Sequence, residues 1–154
     1  MLVRNVVVEN ADPLLITNIG ASAVGLVTEN ANHLRGKISV VNTGGTTATI
    51  TETYSMPYMD LLPMRAPHED SRGTKRSISL LPGQATDIAI PENARQLTSE
   101  EILDVGRGRS FYLMGWIVYS DAMDNKRTLA FCRKWDRQSK RFYVVEDPDY
   151  EHAD

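Results

Sequence analysis

Three histidines, one cysteine and several acidic pairs are the residues of this chain with types suited to chemistry. His33, His68 and His152 stand too far apart for a local ligand pattern such as His-x-x-x-His, and they read as surface histidines. Cys132 is the single cysteine, so neither an intrachain disulfide nor a multi-cysteine zinc site can form within the chain. It lies inside a strand pattern, with no histidine near it in sequence. There a cysteine acts as a small buried hydrophobe rather than as a reactive thiol. Asp121 with Asp124, or Asp147 with Asp149, could begin a calcium site. Calcium takes about six to eight oxygens, and neither pair has a glycine-centred loop. Gly106-Arg-Gly108-Arg109 is glycine-rich and basic, but it leads into a strand and lacks the Gly-Lys-Ser/Thr of a phosphate loop. It reads as the turn that ends a helix. No Gly-x-Ser-x-Gly elbow is present. Acidic residues are too numerous for any one pair to be singled out for glycoside cleavage. The expectation is no catalytic residue, no cofactor and no metal ligand.

Charge narrows the partners. The net charge of −3 gives no global attraction to nucleic acid or to an anionic membrane. One basic stretch stands out: Lys126, Arg127, Arg133, Lys134, Arg137, Lys140 and Arg141 against Asp136 alone, with Phe131 and Trp135 interleaved. A single-strand binder uses such a pattern. The segment that follows holds Glu146, Asp147, Asp149, Glu151 and Asp154. The preferred expectation is that this acidic tail lies over the basic strands and neutralises them, which disfavours nucleic acid.

The elements that must position these residues are mostly strands. Phe111 to Tyr119 is apolar on both faces and is the longest apolar run, well short of the about 20 residues of a membrane helix. It predicts a central strand covered on both sides. Arg127 to Trp135 predicts its neighbour, with Leu129, Phe131 and Trp135 on one face and Thr128, Ala130, Cys132 and Lys134 on the other. Upstream, strands are expected over Leu2 to Glu9, Leu14 to Asn18, Ala21 to Thr28 and Leu34 to Val41. Asn42-Thr-Gly-Gly45 then supplies a tight turn. Thr46 to Ser55 predicts a strand with Ala48, Ile50 and Tyr54 on the apolar side and a threonine ladder on a solvated side.

From Pro57 to Arg76 the alternation stops, and three prolines, Pro57, Pro63 and Pro67, punctuate a long loop. Strands resume over Ser77 to Leu81 and Ala85 to Ile90, joined by the Pro82-Gly83 turn. Thr98-Ser-Glu-Glu101 has capping-box spacing and predicts a short helix to Val105. Arg141 to Glu146 is a last strand. With 154 residues, the chain fits one domain. The predicted fold is all-β: an immunoglobulin-like antiparallel β-sandwich of about seven strands with one short helix, over residues 1–146, followed by an acidic tail over 147–154.

Five pieces taken together carry a resemblance. They are Val41-Asn-Thr-Gly44 with Thr46-Thr-Ala48, Leu81-Pro-Gly83, Tyr119-Ser-Asp121, Thr128-Leu-Ala-Phe-Cys132, and Arg141-Phe142 before Asp147-Pro-Asp-Tyr150. This pattern resembles a group of uncharacterised bacterial proteins with an immunoglobulin-like domain, across about Gly36 to Asp154. It departs from that group at Thr47, where the group has proline, and in lacking a hairpin glycine from Ala122 to Lys126. The resemblance implies a β-sandwich, often after an N-terminal membrane helix and facing outward from the cytoplasm, with no known catalysis.

The motifs also have purely structural work to do. Asn42 and Gly44 shape a turn, Pro82-Gly83 shapes another, and Asp121 can accept from the backbone of the turn that follows it. The expected function is a non-catalytic binding or structural module whose partner is a protein. Membrane attachment would come only through an anchor outside these residues. The expected contacts are Tyr58, Met59, Leu62, Met64 and Arg65 of the long loop, with Met123 and Asn125 of the hairpin turn. The alternatives are a phage-derived or virion-associated structural protein, and an enzyme with its site near the loop at 57–76.

Overall fold

A computed structural model describes residues 1–8, 36–59, 73–90, 100, 103–104, 107–136, 138–139, 141–145 and 152–153. These residues form nine strands: β1 (Leu2–Val8), β2 (Gly36–Val41), β3 (Ala48–Met59), β4 (Thr74–Leu80), β5 (Ala85–Ala89), β6 (Phe111–Ser120), β7 (Lys126–Asp136), β8 (Arg141–Val144) and β9 (His152–Ala153). Every pairing is antiparallel. One sheet has the order β1-β2-β5, the other β4-β3-β6-β7-β8, with β9 also on β7. Ile38 and Val40 of β2 and Ile88 of β5 pack in one cluster with Ile50, Leu80, Phe111, Leu113, Ile117, Leu129 and Phe131 of the larger sheet. The chain is therefore all-β, two antiparallel sheets facing each other across one apolar core. The strands expected at Leu14 to Asn18 and Ala21 to Thr28 lie outside the described residues.

β6 is buried along almost its whole length. Phe111, Leu113, Ile117 and Tyr119 point between the sheets. Met114, Trp116 and Val118 are buried on the opposite face. The doubly apolar pattern thus gives the central, doubly covered strand it predicts. Burying each large apolar side chain contributes roughly 1.5–3 kcal/mol. Trp116 belongs to the outer face, where it stacks on Tyr54 with ring centroids 5.6 Å apart. Gly73, just before β4, lies against Trp116 and Glu52 on that same face.

β3 departs from expectation twice. First, its register with both β4 and β6 shifts between Ile50 and Glu52. An extra residue there reverses the parity of the strand. Ala48 and Ile50 face the core as expected, but beyond the bulge Thr53 and Ser55 are buried and Tyr54 moves to the outer face. The threonine ladder is therefore not one solvated face: Thr53 is 5% exposed, and its hydroxyl accepts from Arg76 Nε at 3.3 Å. Second, β3 continues through Pro57 to Met59, where the sequence predicts a loop. β4 pairs with β3 only as far as Thr53. Past that point the side of β3 turned away from β6 is a sheet edge among the described strands, and an edge tolerates proline. β4 likewise begins at Thr74, so the loop expected to reach Arg76 ends earlier.

Glu100, Leu103 and Asp104 are helical, within the span where a short helix is expected; Thr98 and Glu101 of the capping box lie outside the described residues. Arg107 N–H donates to the Leu103 carbonyl at 3.1 Å, and Gly108 takes φ 105° in the turn that follows. The Asp104 carboxylate holds Arg107 and Arg109, each at 3.4 Å. Arg107-Gly108-Arg109 therefore belongs to the exit from a helix; Gly106 lies outside the described residues. The acidic tail does not stay apart from the sheets: His152–Ala153 returns to pair with Leu129 and Ala130 of β7.

Candidate functional site

Three turns meet at one end of the two sheets. β2 ends there and β3 begins, with residues 42–47 between them; β4 and β5 are joined by 81–84, and β6 and β7 by 121–125. The pairs Val41↔Ala85, Ala48↔Leu80, Thr49↔Ser120 and Ser120↔Lys126 fix this common end.

Asn42 ties two of the turns together. It is 2% exposed. Its Nδ2 donates to the carbonyls of Thr46 at 2.8 Å and Leu80 at 2.9 Å, while its Oδ1 accepts from Gly44 N–H at 3.0 Å. Its own N–H donates to the Gln84 carbonyl and its carbonyl accepts from Gly83 N–H. Gly83 takes φ 76° in that turn, a conformation glycine adopts without the Cβ penalty. Leu81 N–H donates to Gln84 Oε1 at 3.0 Å, closing the same loop. The turn roles predicted for Asn42, Gly44 and Pro82-Gly83 are all present.

Asp121 organises the third turn. Its Oδ1 accepts from the N–H groups of Met123 at 2.9 Å and Asn125 at 3.0 Å, and Asn125 Nδ2 reaches both oxygens. Arg127 Nε lies 3.4 Å from Oδ2. Asp124 takes φ 62°. Aspartate tolerates the left-handed region better than most residues, which explains how this turn closes without the glycine of the resembling group. The carboxylate so placed serves the turn. Hydrogen bonds from Asn125, then from the Met123 backbone and Arg127, hold the Asp121 carboxyl below its ordinary range. A depressed carboxyl contributes stability above its unfolded value of about 3.9, and that stability is lost as pH falls through the lower folded value. Asp121→Asn is expected to be less stable than the parent near neutral pH, with the gap closing in acid, as pH falls below the unfolded value of about 3.9. Urea unfolding near neutral pH and in acid measures it; a gap independent of pH would sink the assignment.

The expected contact residues fall in different places. Met123 is 84% exposed at the tip of the third turn, and Asn125 is exposed beside it. Tyr58 and Met59 are half-buried strand residues, opposite Tyr112 and Phe111. Met59 packs on the core between the sheets and Tyr58 on Met114 and Cys132. At about 3.4 Å per residue, Thr49 and Tyr58 are roughly 30 Å apart along β3. The structure therefore does not bring Tyr58 and Met59 to the turn that carries Met123. Leu62, Met64 and Arg65 lie outside the described residues.

One exposed residue at the turn end was not anticipated. Leu81 is 61% exposed, directly after the buried Leu80. The signal was available, because adjacent strand residues point to opposite faces. Cys132 is fully buried beside Met114, as its strand position predicts. Among the described residues no group of three or more His, Cys, Asp or Glu is placed to hold a metal ion, and no helix is long and apolar enough to cross a membrane. Leu2 pairs with Val41, so Met1 lies near this same end. Comparison with protein-family models, with curated proteins and with solved structures found no match.

Proposed function

We propose that this chain is an immunoglobulin-like β-sandwich serving as a non-catalytic protein-binding or structural module, with the three-turn end as its contact surface. The strand order supports the architecture. β2-β5 in one sheet and β3-β6-β7 in the other correspond to the B-E and C-F-G pairings of immunoglobulin-like domains. β4 sits on β3 rather than on β5. Related sandwiches share the architecture with such variations of topology. The observation that carries the functional reading is the contrast at the turn end: Leu81 and Met123 are exposed there on turns held by Asn42 and Asp121. Adaptable apolar side chains on a rigid frame suit partner contact. The motif resemblance supports a partner in the bacterial envelope.

A photoreactive side chain at Met123, compared with one at the exposed Gln138 between β7 and β8, tests this reading in the source cells. A discrete protein adduct from the first site alone is expected. No adduct from Met123, or the same adducts from both sites, would overturn it.

A further inference from the structure

The edge of β7 that faces away from β6 is held by two short pieces of chain. β8 pairs with Arg133 to Asp136, and β9 pairs with Leu129 and Ala130. Between them Val145 N–H donates to the Cys132 carbonyl at 3.2 Å. β9 is two residues long and is the last of the described strands. The contrast with β6 on the other side of β7 is large: that pairing runs unbroken from Tyr112↔Lys134 to Ser120↔Lys126. A two-residue ladder is the kind of contact that opens locally without disturbing the rest of a fold.

Its chemistry is distinctive. In sequence, Glu146, Asp147, Asp149 and Glu151 precede β9 and Asp154 follows it. The strand that receives it displays the exposed Lys126, Arg127 and Lys134, and its neighbour β8 the exposed Arg141. Opposite charges across a sheet edge favour pairing, and like charges oppose it. The chain between Val145 and His152 can extend to about 20 Å. Their partners on β7, Cys132 and Ala130, are roughly 7 Å apart. β9 can therefore leave β7 without pulling β8 away.

We propose that the edge of β7 at Leu129–Ala130 is an acceptor for an extended, acidic segment of a partner protein, and that β9 is the built-in occupant which that segment displaces. The binding mode is strand addition: main-chain hydrogen bonds supply affinity and the flanking Lys126 and Lys134 supply preference for acidic side chains. A partner strand longer than β9 forms more ladder bonds than the two pairs it replaces. This surface is separate from the three-turn end, and its assignment stands or falls independently of the function proposed for that end.

The test uses the full chain and its His152→Pro variant: the Cys132 carbonyl faces this edge, so Ala130↔His152 is the hydrogen-bonded pair and proline removes the N–H of β9 that faces β7. The probe is a fluorescent Glu-Val-Glu-Val-Glu-Val peptide, read by anisotropy at low and at physiological salt. A tethered strand competes at an effective concentration of about millimolar, so its loss is expected to tighten peptide binding by about tenfold or more. Binding is expected to weaken with salt. It is also expected to fall in His152→Pro when Lys126→Glu and Lys134→Glu are added. A Lys-Val peptide of the same length is expected not to bind. Equal affinity of parent and His152→Pro, or equal binding of the Lys-Val peptide, would overturn the proposal. So would tighter binding of a single-stranded oligothymidylate than of the acidic peptide, which would make the edge a nucleic-acid surface instead.

Discussion

Gly115→Ala is expected to lower stability by about 3 kcal/mol or more, the upper range for overpacking a buried position. Gly115 lies in the middle of β6, opposite Ser55 of β3 and Phe131 of β7. A Cβ at this position would overlap the Tyr54 carbonyl oxygen, and would stand 2.8 Å from the Tyr54 carbonyl carbon and 2.9 Å from Ser55 Cα. All three are backbone atoms, so no side chain can rotate out of the way. β3 would have to move off β6 at the centre of the larger sheet, disturbing the Tyr54–Trp116 stack beside it. For a chain of this size each kcal/mol shifts Tm by about 2–4 °C, so a fall of roughly 10 °C is expected in a thermal melt followed by circular dichroism. Gly45→Ala is the matched control, because a Cβ there meets nothing within 4 Å. If the two variants melt together, β3 and β6 do not approach as closely as described.

Asn42→Ala is expected to cost about 2–4 kcal/mol, since each buried polar group left without its partner costs about 1–3 kcal/mol. The side chain joins three backbone groups, at Gly44, Thr46 and Leu80. Alanine leaves all three without that partner, and the hydrogen bond to the Leu80 carbonyl is fully buried. The damage should reach the turn end as a whole. Amide hydrogen exchange is expected to quicken at Gly83 and Gln84, whose turn is pinned to Asn42 through the backbone. Asn42→Asp separates the two halves of the amide. It keeps an oxygen to accept from Gly44 but turns a buried carboxylate toward two carbonyl oxygens, so it is expected to be at least as damaging near neutral pH. Chemical denaturation of the three proteins measures the series. A loss below about 1 kcal/mol for Asn42→Ala would mean that the turns hold themselves.

These two residues differ in how visible they are in the sequence. Asn42 is legible as a turn former because Asn-Thr-Gly-Gly follows an apolar strand. That it also holds the Leu80 carbonyl, far along the chain, requires β4 to lie beside β3. Gly115 carries no local signal at all. A glycine inside an apolar strand can mark a bulge or a close approach, and only the position of the Tyr54 carbonyl distinguishes these. The candidate contacts divide in the same way. Met123 and Asn125 sit in a turn that sequence alone locates between two strong strands. Tyr58 and Met59 follow a proline, which predicts a loop, but the ladder with β6 runs on through Pro57, because proline breaks a ladder only on the side where its N–H is needed.

The amino-acid sequence by itself determined the all-β class, the central place of β6 and the sites of the three turns. Those follow from properties carried within a few residues: period-two alternation, an apolar run on both faces, and residue types that bend the backbone. The tertiary structure alone decided which face each residue of β3 occupies after Ile50, where β4 begins, and that His152–Ala153 returns to β7. Each of these depends on which strand lies alongside. One extra residue at a bulge reverses every later side chain, and the choice of register is made by the neighbouring strands across the ladder rather than by the strand that bears the bulge.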